Sequence, residues 1–210
     1  MTLFILSLII SYLFGSIPFG LLLTKKFLKI DIREIGSKNI GATNVLRTGN
    51  KKIALLTLFF DFCKGLIPLL VAIFLNINNP LRIGVAAFIG LIFPIWIKFS
   101  GGKGVATYIG IITIISPIAS ISFLTIWIVI FLIFRYSSLS SIICSICTPI
   151  IYLGSHYILT NTQIINKLSS FNQDNFNINL IFILFMSTIL IYRHNENIKR
   201  FLNGSEIKIK

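Results

Sequence analysis

The sequence predicts an all-α integral membrane protein: a polytopic bundle of seven transmembrane helices, N-terminus outside and C-terminus inside. Three observations predict it. Of the 210 residues, 55% are hydrophobic and only 12% charged, with a mean hydropathy of +0.91, which is not the balance of a soluble domain. Long uncharged runs recur along the chain, separated by short polar segments. The basic residues, which give a net charge of +13, sit mainly beside those runs, as the positive-inside rule expects. That placement argues against a nucleic-acid partner. It points instead to membrane lipid, anionic headgroups and anionic substrates.

Segment 3–23 is the first span. It lacks a basic leader and an Ala-x-Ala cleavage signal, so it is expected to be a retained helix. Residues 25–52 hold eight Lys/Arg against Asp31 and Glu34, which puts this loop in the cytoplasm. Segment 53–75 returns outward, and Asn76 to Pro80 is a short outer turn. Segment 81–97 goes inward and carries Pro94, and Lys98 to Gly104 forms a cytoplasmic edge.

The next uncharged run, 104–134, has 31 residues. One straight helix of that length would be about 46 Å long, too long for a hydrocarbon core of ~30 Å. Ser116-Pro117 sits near its middle, so two helices are expected, 104–116 and 117–134. The first is short for a span. Arg135 then lies inside, 138–159 exits, 161–177 is an outer polar loop and 178–192 re-enters. The tail with Arg193, Lys199, Arg200, Lys208 and Lys210 ends inside. A single long helix would put that basic tail outside, against the rule. There is no convincing internal repeat and no separate soluble domain, so residues 1–210 are read as one compact bundle.

Cys63, Cys144 and Cys147 all lie in apolar runs and read as small buried hydrophobes. No zinc ligands accompany them, and no metal or cofactor is expected.

The polar groups that could carry chemistry fall on the cytoplasmic side of this topology. Gly36 to Arg47 is a polar island with two glycines, small polar side chains, two cations and no carboxylate. Backbone N–H groups, Ser37, Asn39, Asn44 and the Arg47 fork suit an anion, most naturally phosphate, with Gly36 and Gly41 allowing close approach. A solvated loop with turn glycines is the plain alternative. Gly101-Gly102-Lys103-Gly104 opens a helix, where free N–H groups and the dipole favour an anion and Lys103 adds a charge. It lacks Walker A spacing, and a flexible basic loop is the alternative. Asp61 and Lys64 share a helix face inside a span, where charges are costly. Near mid-membrane and below the site, they are expected to shape or support it rather than touch a substrate; simple mutual pairing is the plain alternative. Ser138 and Ser141 lie at the start of the sixth helix, as caps or as donors to a phosphate.

His194, one of only two histidines, stands with Glu196 and Asn197 after the last span. That setting suits acid–base or substrate-positioning work; an interfacial tail histidine is the alternative. His156 sits among apolar residues and reads as structural. No Gly-x-Ser-x-Gly elbow, zinc pair or Cys/His arrangement is present, which argues against a protein nucleophile.

These strings resemble a known family. Gly15-Ser-Ile-Pro-Phe-Gly20, Gly36-Ser-Lys-Asn-Ile-Gly-Ala-Thr-Asn-Val-Leu-Arg47, Asp61-x-x-Lys64-Gly65, Gly101-Gly-Lys-Gly-Val-Ala-Thr107 and His194-x-Glu-Asn197-Ile look like the bacterial membrane acyl-phosphate:glycerol-3-phosphate acyltransferases, the PlsY family. The resemblance implies a seven-helix inner-membrane bundle with a cytoplasmic site. It implies acyl transfer from acyl phosphate to the sn-1 hydroxyl of glycerol 3-phosphate, giving lysophosphatidic acid and phosphate, the first acylation of phospholipid synthesis. The soluble enzyme that makes acyl phosphate is an expected partner.

An acyl phosphate is already activated, so such an enzyme must position two anions and exclude water rather than supply a nucleophile. Family roles carry over to Ser37, Asn39, Asn44 and Arg47, to Gly101, Gly102, Lys103 and Gly104, and to His194, Glu196 and Asn197. Ser138 and Ser141 match serines in the family's Arg-Tyr-x-Ser pattern. As expectations, Arg47 and Lys103 hold phosphates, Ser37 and Asn44 donate to them, and His194 and Asn197 orient glycerol 3-phosphate. The base is His194 or a substrate phosphate oxygen. Two positions depart from the family: Leu91 stands where a His is common, and Ser100 where a Lys is common. A transporter for an organic phosphate and a non-enzymatic assembly subunit are the other function classes.

Overall fold

A computed structural model describes residues 1–161 and 176–209. The expected outer loop 161–177 falls almost wholly outside the described residues. Among those described, every regular element is helical. Backbone contacts divide the chain into two compact units, Met1–Ile111 with Ile209, and Ile112–Lys208.

The first unit opens with α1, Thr2–Ser16, and α2, Phe19–Leu23, which runs into a π-helical turn, Thr24–Leu28. This corrects the single helix expected over 3–23. Pro18 has no N–H and forces the preceding Ile17 into an extended conformation (φ −62°, ψ 116°). The two pieces meet at a 42° bend. Beyond the bend, a side chain at Gly20 would collide with the Ile40 carbonyl of the polar island, so only glycine lets that loop approach.

A short 3₁₀ turn, Ile32–Glu34, precedes the island, and α3, Ala42–Leu46, closes it. Then α4, Lys51–Phe74, starts at Asn50, whose side chain accepts from the Ile53 N–H at 3.0 Å. α5, Leu81–Ile92, ends one residue before Phe93-Pro94, and a 3₁₀ turn, Ile95–Ile97, follows. α5 packs on α1 and α4. Leu21, Ile32, Ile40, Val45, Ile53 and Ala54 form a buried cluster beneath the island.

α6, Val105–Ile115, begins in this unit and ends in the second, where Ser116 caps α7, Pro117–Phe134. The Ser116 hydroxyl accepts from the Ala119 N–H at 3.2 Å, and Pro117 takes the first helical position, where its missing N–H costs nothing. The break therefore falls where the sequence puts it. The Thr113 and Ser120 hydroxyls bond across it at 2.9 Å. Arg135, left-handed at φ 64°, turns the chain into α8, Ser137–Asn161. α9, Phe176–Arg193, packs on α8, and α10, Asn195–Leu202, turns the expected tail into a short helix.

By length and composition, four helices among the described residues can cross a membrane, or five if the bent α1–α2 pair is one span. α5 and α6, at 12 and 11 residues, are only about 18 and 17 Å long. Both fall short of a ~30 Å core, so the expected spans 81–97 and 104–116 are not single full-length helices.

Candidate active site

The polar island is held together by one side chain. Asn44 is almost fully buried in the five-residue α3. Its Nδ2 donates to the carbonyls of Ile32 at 3.0 Å, Ile35 at 2.9 Å and Asn39 at 2.8 Å. Its Oδ1 accepts from the Ser37 N–H at 2.9 Å and from an Arg47 guanidinium nitrogen at 3.4 Å. The expectation that Asn44 donates to a phosphate is thus corrected: both amide hydrogens are committed to backbone carbonyls, and Asn44 shapes the loop. Asn39 does related work, its Oδ1 accepting from the Gly41 N–H at 2.9 Å. Gly36 and Lys38 are left-handed, at φ 53° and 58°. Gly36 and Lys38 are exposed, and Ser37 and Arg47 are half-buried.

Asp31 anchors the approach to this loop. It caps the 3₁₀ turn and bonds Arg33 at 2.9 and 2.6 Å, with Lys25 at 3.2 Å. The Arg33 hydrogen bond, ahead of a smaller opposing effect of burial, holds its carboxyl well below the usual range.

Gly101 to Gly104 lies in the same unit. A Cβ on Gly102 would come within 3.8 Å of Ile40, so this turn adjoins the island. The Gly102 N–H donates to the Leu91 carbonyl at 3.1 Å, and Gly104, at φ 94°, leads into α6. Lys103 is half-buried. Leu91 is a buried apolar residue whose backbone supports the turn, and Ser100 is exposed. Below, Lys64 Nζ meets Asp61 Oδ1 at 2.7 Å and lies 5.0 Å from the centre of the Phe19 ring. Both charges are buried and paired with each other, as expected of charges in a span.

In the second unit, His194 and Asn197 are buried at the head of α10. His194 Nδ1 lies 2.8 Å from the Leu190 carbonyl oxygen. A carbonyl only accepts, so Nδ1 carries the hydrogen and Nε2 is the basic nitrogen of the neutral ring.

Asn197 Nδ2 donates to Glu206 Oε1 at 2.7 Å, as does the Ser138 hydroxyl at 2.7 Å, and Arg200 Nε reaches Oε2 at 2.9 Å. Burial pushes the Glu206 carboxyl up, but the bonds from Asn197, Ser138 and Arg200 outweigh it and hold the group below its ordinary value.

Sequence reasoning missed Glu206; its only signal is a second carboxylate, after Glu196, in a basic tail. It also displaces Glu196, which is exposed and meets only the exposed Lys199, at 3.4 Å. The Ser141 hydroxyl donates to the Ser137 carbonyl at 2.9 Å and accepts from Trp127 Nε1 at 3.1 Å. The hydroxyl hydrogens of Ser138 and Ser141 are therefore engaged within the protein, which revises their expected donation to phosphate. His156 stacks on Phe176, ring centres 3.8 Å apart, in keeping with a structural role.

Comparison with known proteins agrees with these motifs. The sequence profile of the glycerol-3-phosphate acyltransferase family matches residues 5–204. A glycerol-3-phosphate acyltransferase of Bartonella henselae is 49% identical over 212 residues, covering 96% of this chain and 89% of the relative. One from Pelagibacter ubique is 46% identical, covering 95% and 94%. The fold is similar to two crystal structures of PlsY (YgiH), an integral membrane glycerol 3-phosphate acyltransferase. Its glycerol 3-phosphate form has a TM-score of 0.83 at 34% identity, over 99% of this chain and 96% of that one. Its lysophosphatidic acid form has a TM-score of 0.80 at 34% identity, over 99% and 95%. With its motifs in order and its fold matched along nearly its whole length, this chain belongs to the glycerol-3-phosphate acyltransferase family of integral membrane proteins.

Proposed function

We propose that the chain transfers an acyl group from acyl phosphate to the sn-1 hydroxyl of glycerol 3-phosphate, releasing lysophosphatidic acid and inorganic phosphate. Acyltransfer to glycerol 3-phosphate rests on family membership. The donor and the position acylated are our reading. The observation that carries acyl transfer, taking glycerol 3-phosphate to lysophosphatidic acid, is the match to one solved enzyme in both a glycerol 3-phosphate form and a lysophosphatidic acid form. The absence of a protein nucleophile motif supports a donor that arrives already activated.

In this reading the glycerol hydroxyl oxygen attacks the acyl carbon. The bond from that carbon to the phosphate oxygen breaks, and phosphate leaves with the bonding pair. Arg47 and Lys103 hold the phosphates, and the Ser37 hydroxyl donates to them. Asn39 and Asn44 keep the first segment in shape. His194 and Asn197 orient glycerol 3-phosphate, with Glu206, Ser138 and Arg200 fixing the Asn197 amide. His194 Nε2 takes the hydroxyl proton directly, or a substrate phosphate oxygen takes it.

The site faces the cytoplasm at the inner membrane of a bacterium, within one seven-span domain of 210 residues, N-terminus out and C-terminus in. A soluble enzyme supplies the acyl phosphate. The test is the full chain in vesicles, given acyl phosphate and labelled glycerol 3-phosphate. Labelled lysophosphatidate is expected; unreacted label trapped inside the vesicles would show a transporter instead. A His194→Ala variant that stays active with an unchanged pH profile would exclude histidine as the base.

A further inference from the structure

We propose that Thr107 is a positioning residue for the phosphate-binding turn: its hydroxyl pins the start of α6 to α4 and so fixes where Lys103 stands. This deepens the proposed function and rests on Lys103 holding a phosphate. Thr107 is fully buried, and its Oγ donates to the Asp61 carbonyl at 2.7 Å, 46 residues away. Thr107 is only the third residue of α6, so the carbonyl one turn back belongs to Lys103, ahead of the helix, whereas a threonine further along a helix ordinarily bonds the carbonyl one turn back. Thr24, Thr57, Thr125, Thr148 and Thr188 all do so, each to the residue four positions earlier. Thr107 instead reaches to another helix. The Asp61 carbonyl is an interior helical acceptor, so the hydroxyl adds a second donor to an oxygen the ladder of α4 already uses.

The crossing is built for this reach. A side chain at Gly65 would collide with the Thr107 carbonyl, and one at Gly110 with the Phe62 carbonyl. α4 and α6 therefore touch backbone to backbone, at the turn of α4 that carries the Asp61–Lys64 ion pair. The other end of the glycine turn is pinned by the Gly102 N–H on the Leu91 carbonyl at 3.1 Å. Lys103 lies between these two pins. Its ammonium sits on a long flexible stem, so the reach of the charge is set by where the backbone is held. Where that phosphate is the one on glycerol 3-phosphate, whose charge does not change in the reaction, releasing one pin weakens its hold equally before and during acyl transfer, so affinity falls while the chemical step is left alone.

The experiment uses the full chain in vesicles with acyl phosphate and glycerol 3-phosphate, comparing Thr107→Val with Thr107→Ser. Loss of one neutral hydrogen bond should raise the KM of the substrate whose phosphate Lys103 holds by about three- to ten-fold, with kcat within about two-fold of the wild type where that substrate is glycerol 3-phosphate. Thr107→Ser, which keeps the hydroxyl, should restore KM. If Thr107→Val does not yield folded protein, Thr107→Cys, a weaker donor of similar size, carries the same expectation. Unchanged KM for both substrates overturns the proposal. So does a joint fall in kcat and thermal midpoint that Thr107→Ser shares. Lys103→Met separates the two levels. If it keeps wild-type kinetics, the reading of Lys103 fails. If it is impaired while Thr107→Val behaves as wild type, only the positioning role fails.

Discussion

Asn44 and Glu206 show how much one polar side chain can decide. Removing the Asn44 amide takes away its bonds to the Asn39 carbonyl and the Ser37 N–H, and one of the donors to the Ile32 and Ile35 carbonyls, which keep the Ile35 and Lys38 N–H groups. An Asn44→Ala variant should lose about 2–4 kcal/mol of stability and nearly all acyltransfer, read by thermal unfolding in detergent and by the vesicle assay. Glu206 makes a pH-dependent prediction. Its carboxyl is held below its ordinary value of 4.5 in the folded protein. Its contribution is therefore complete above that value and is lost as pH falls through the depressed folded value. At neutral pH a Glu206→Gln variant should be about 2 kcal/mol less stable. The gap between the two midpoints should stay constant above pH 4.5 and narrow below it. A gap that does not change with pH would mean the charge is not what matters. The importance of Asn44 is legible in the sequence, because it sits in a specific string. Its role is not, because two of its acceptors, Ile32 and Ile35, lie outside the string. Glu206 is hidden for the same reason, since Ser138, one of its donors, is 68 residues away.

At the scale of helices, what can be read depends on whether two independent signals coincide. At Ser116-Pro117 they do. The uncharged run is too long for one span, and serine then proline is the chemistry of a helix start. At Pro18 only the proline speaks, because apolar residues continue on both sides and no length limit is exceeded. The expectation of one helix over 3–23 follows hydropathy there and misses the 42° bend. The Ser116 cap can be tested directly. Ser116→Ala removes the acceptor for the Ala119 N–H and should cost about 1 kcal/mol, seen as a lower thermal midpoint. Ser116→Asp, which restores an acceptor, should recover most of it. An alanine variant as stable as the wild type would mean that α6 and α7 are held apart by packing alone. The shortness of α6 is legible, because the Ser116-Pro117 break leaves too few residues for a span; that of α5 is not, because hydropathy continues through Phe93 to Ile97 after the helix has stopped.

For the whole molecule, the two short helices leave one decisive question about topology. Counting α5 and α6 as crossings gives the seven spans proposed. Counting neither gives five, with the bent pair as one. Both numbers are odd, so both put the chain ends on opposite sides, and a reporter at the C-terminus cannot separate them. They differ in one place: whether the turn around Lys98 and Lys103 reaches the cytoplasmic surface or stops inside the bilayer. Cost argues for the surface. Each lysine buried at mid-membrane is penalised by roughly 2.5–3.5 kcal/mol or more. The stretch from Phe93 to Gly101 loops out from the end of α5 through the 3₁₀ turn and comes back to it, where the Gly102 N–H bonds the Leu91 carbonyl at 3.1 Å. A Ser100→Cys variant, with Cys63, Cys144 and Cys147 replaced by alanine, should react with a membrane-impermeant maleimide in inside-out vesicles. The same variant should stay unlabelled in right-side-out vesicles. Labelling from the outer side alone would reverse the orientation. Labelling from neither side, with a denatured control fully labelled, would leave the glycine turn inside the bilayer, and the seven-span reading would have to be given up.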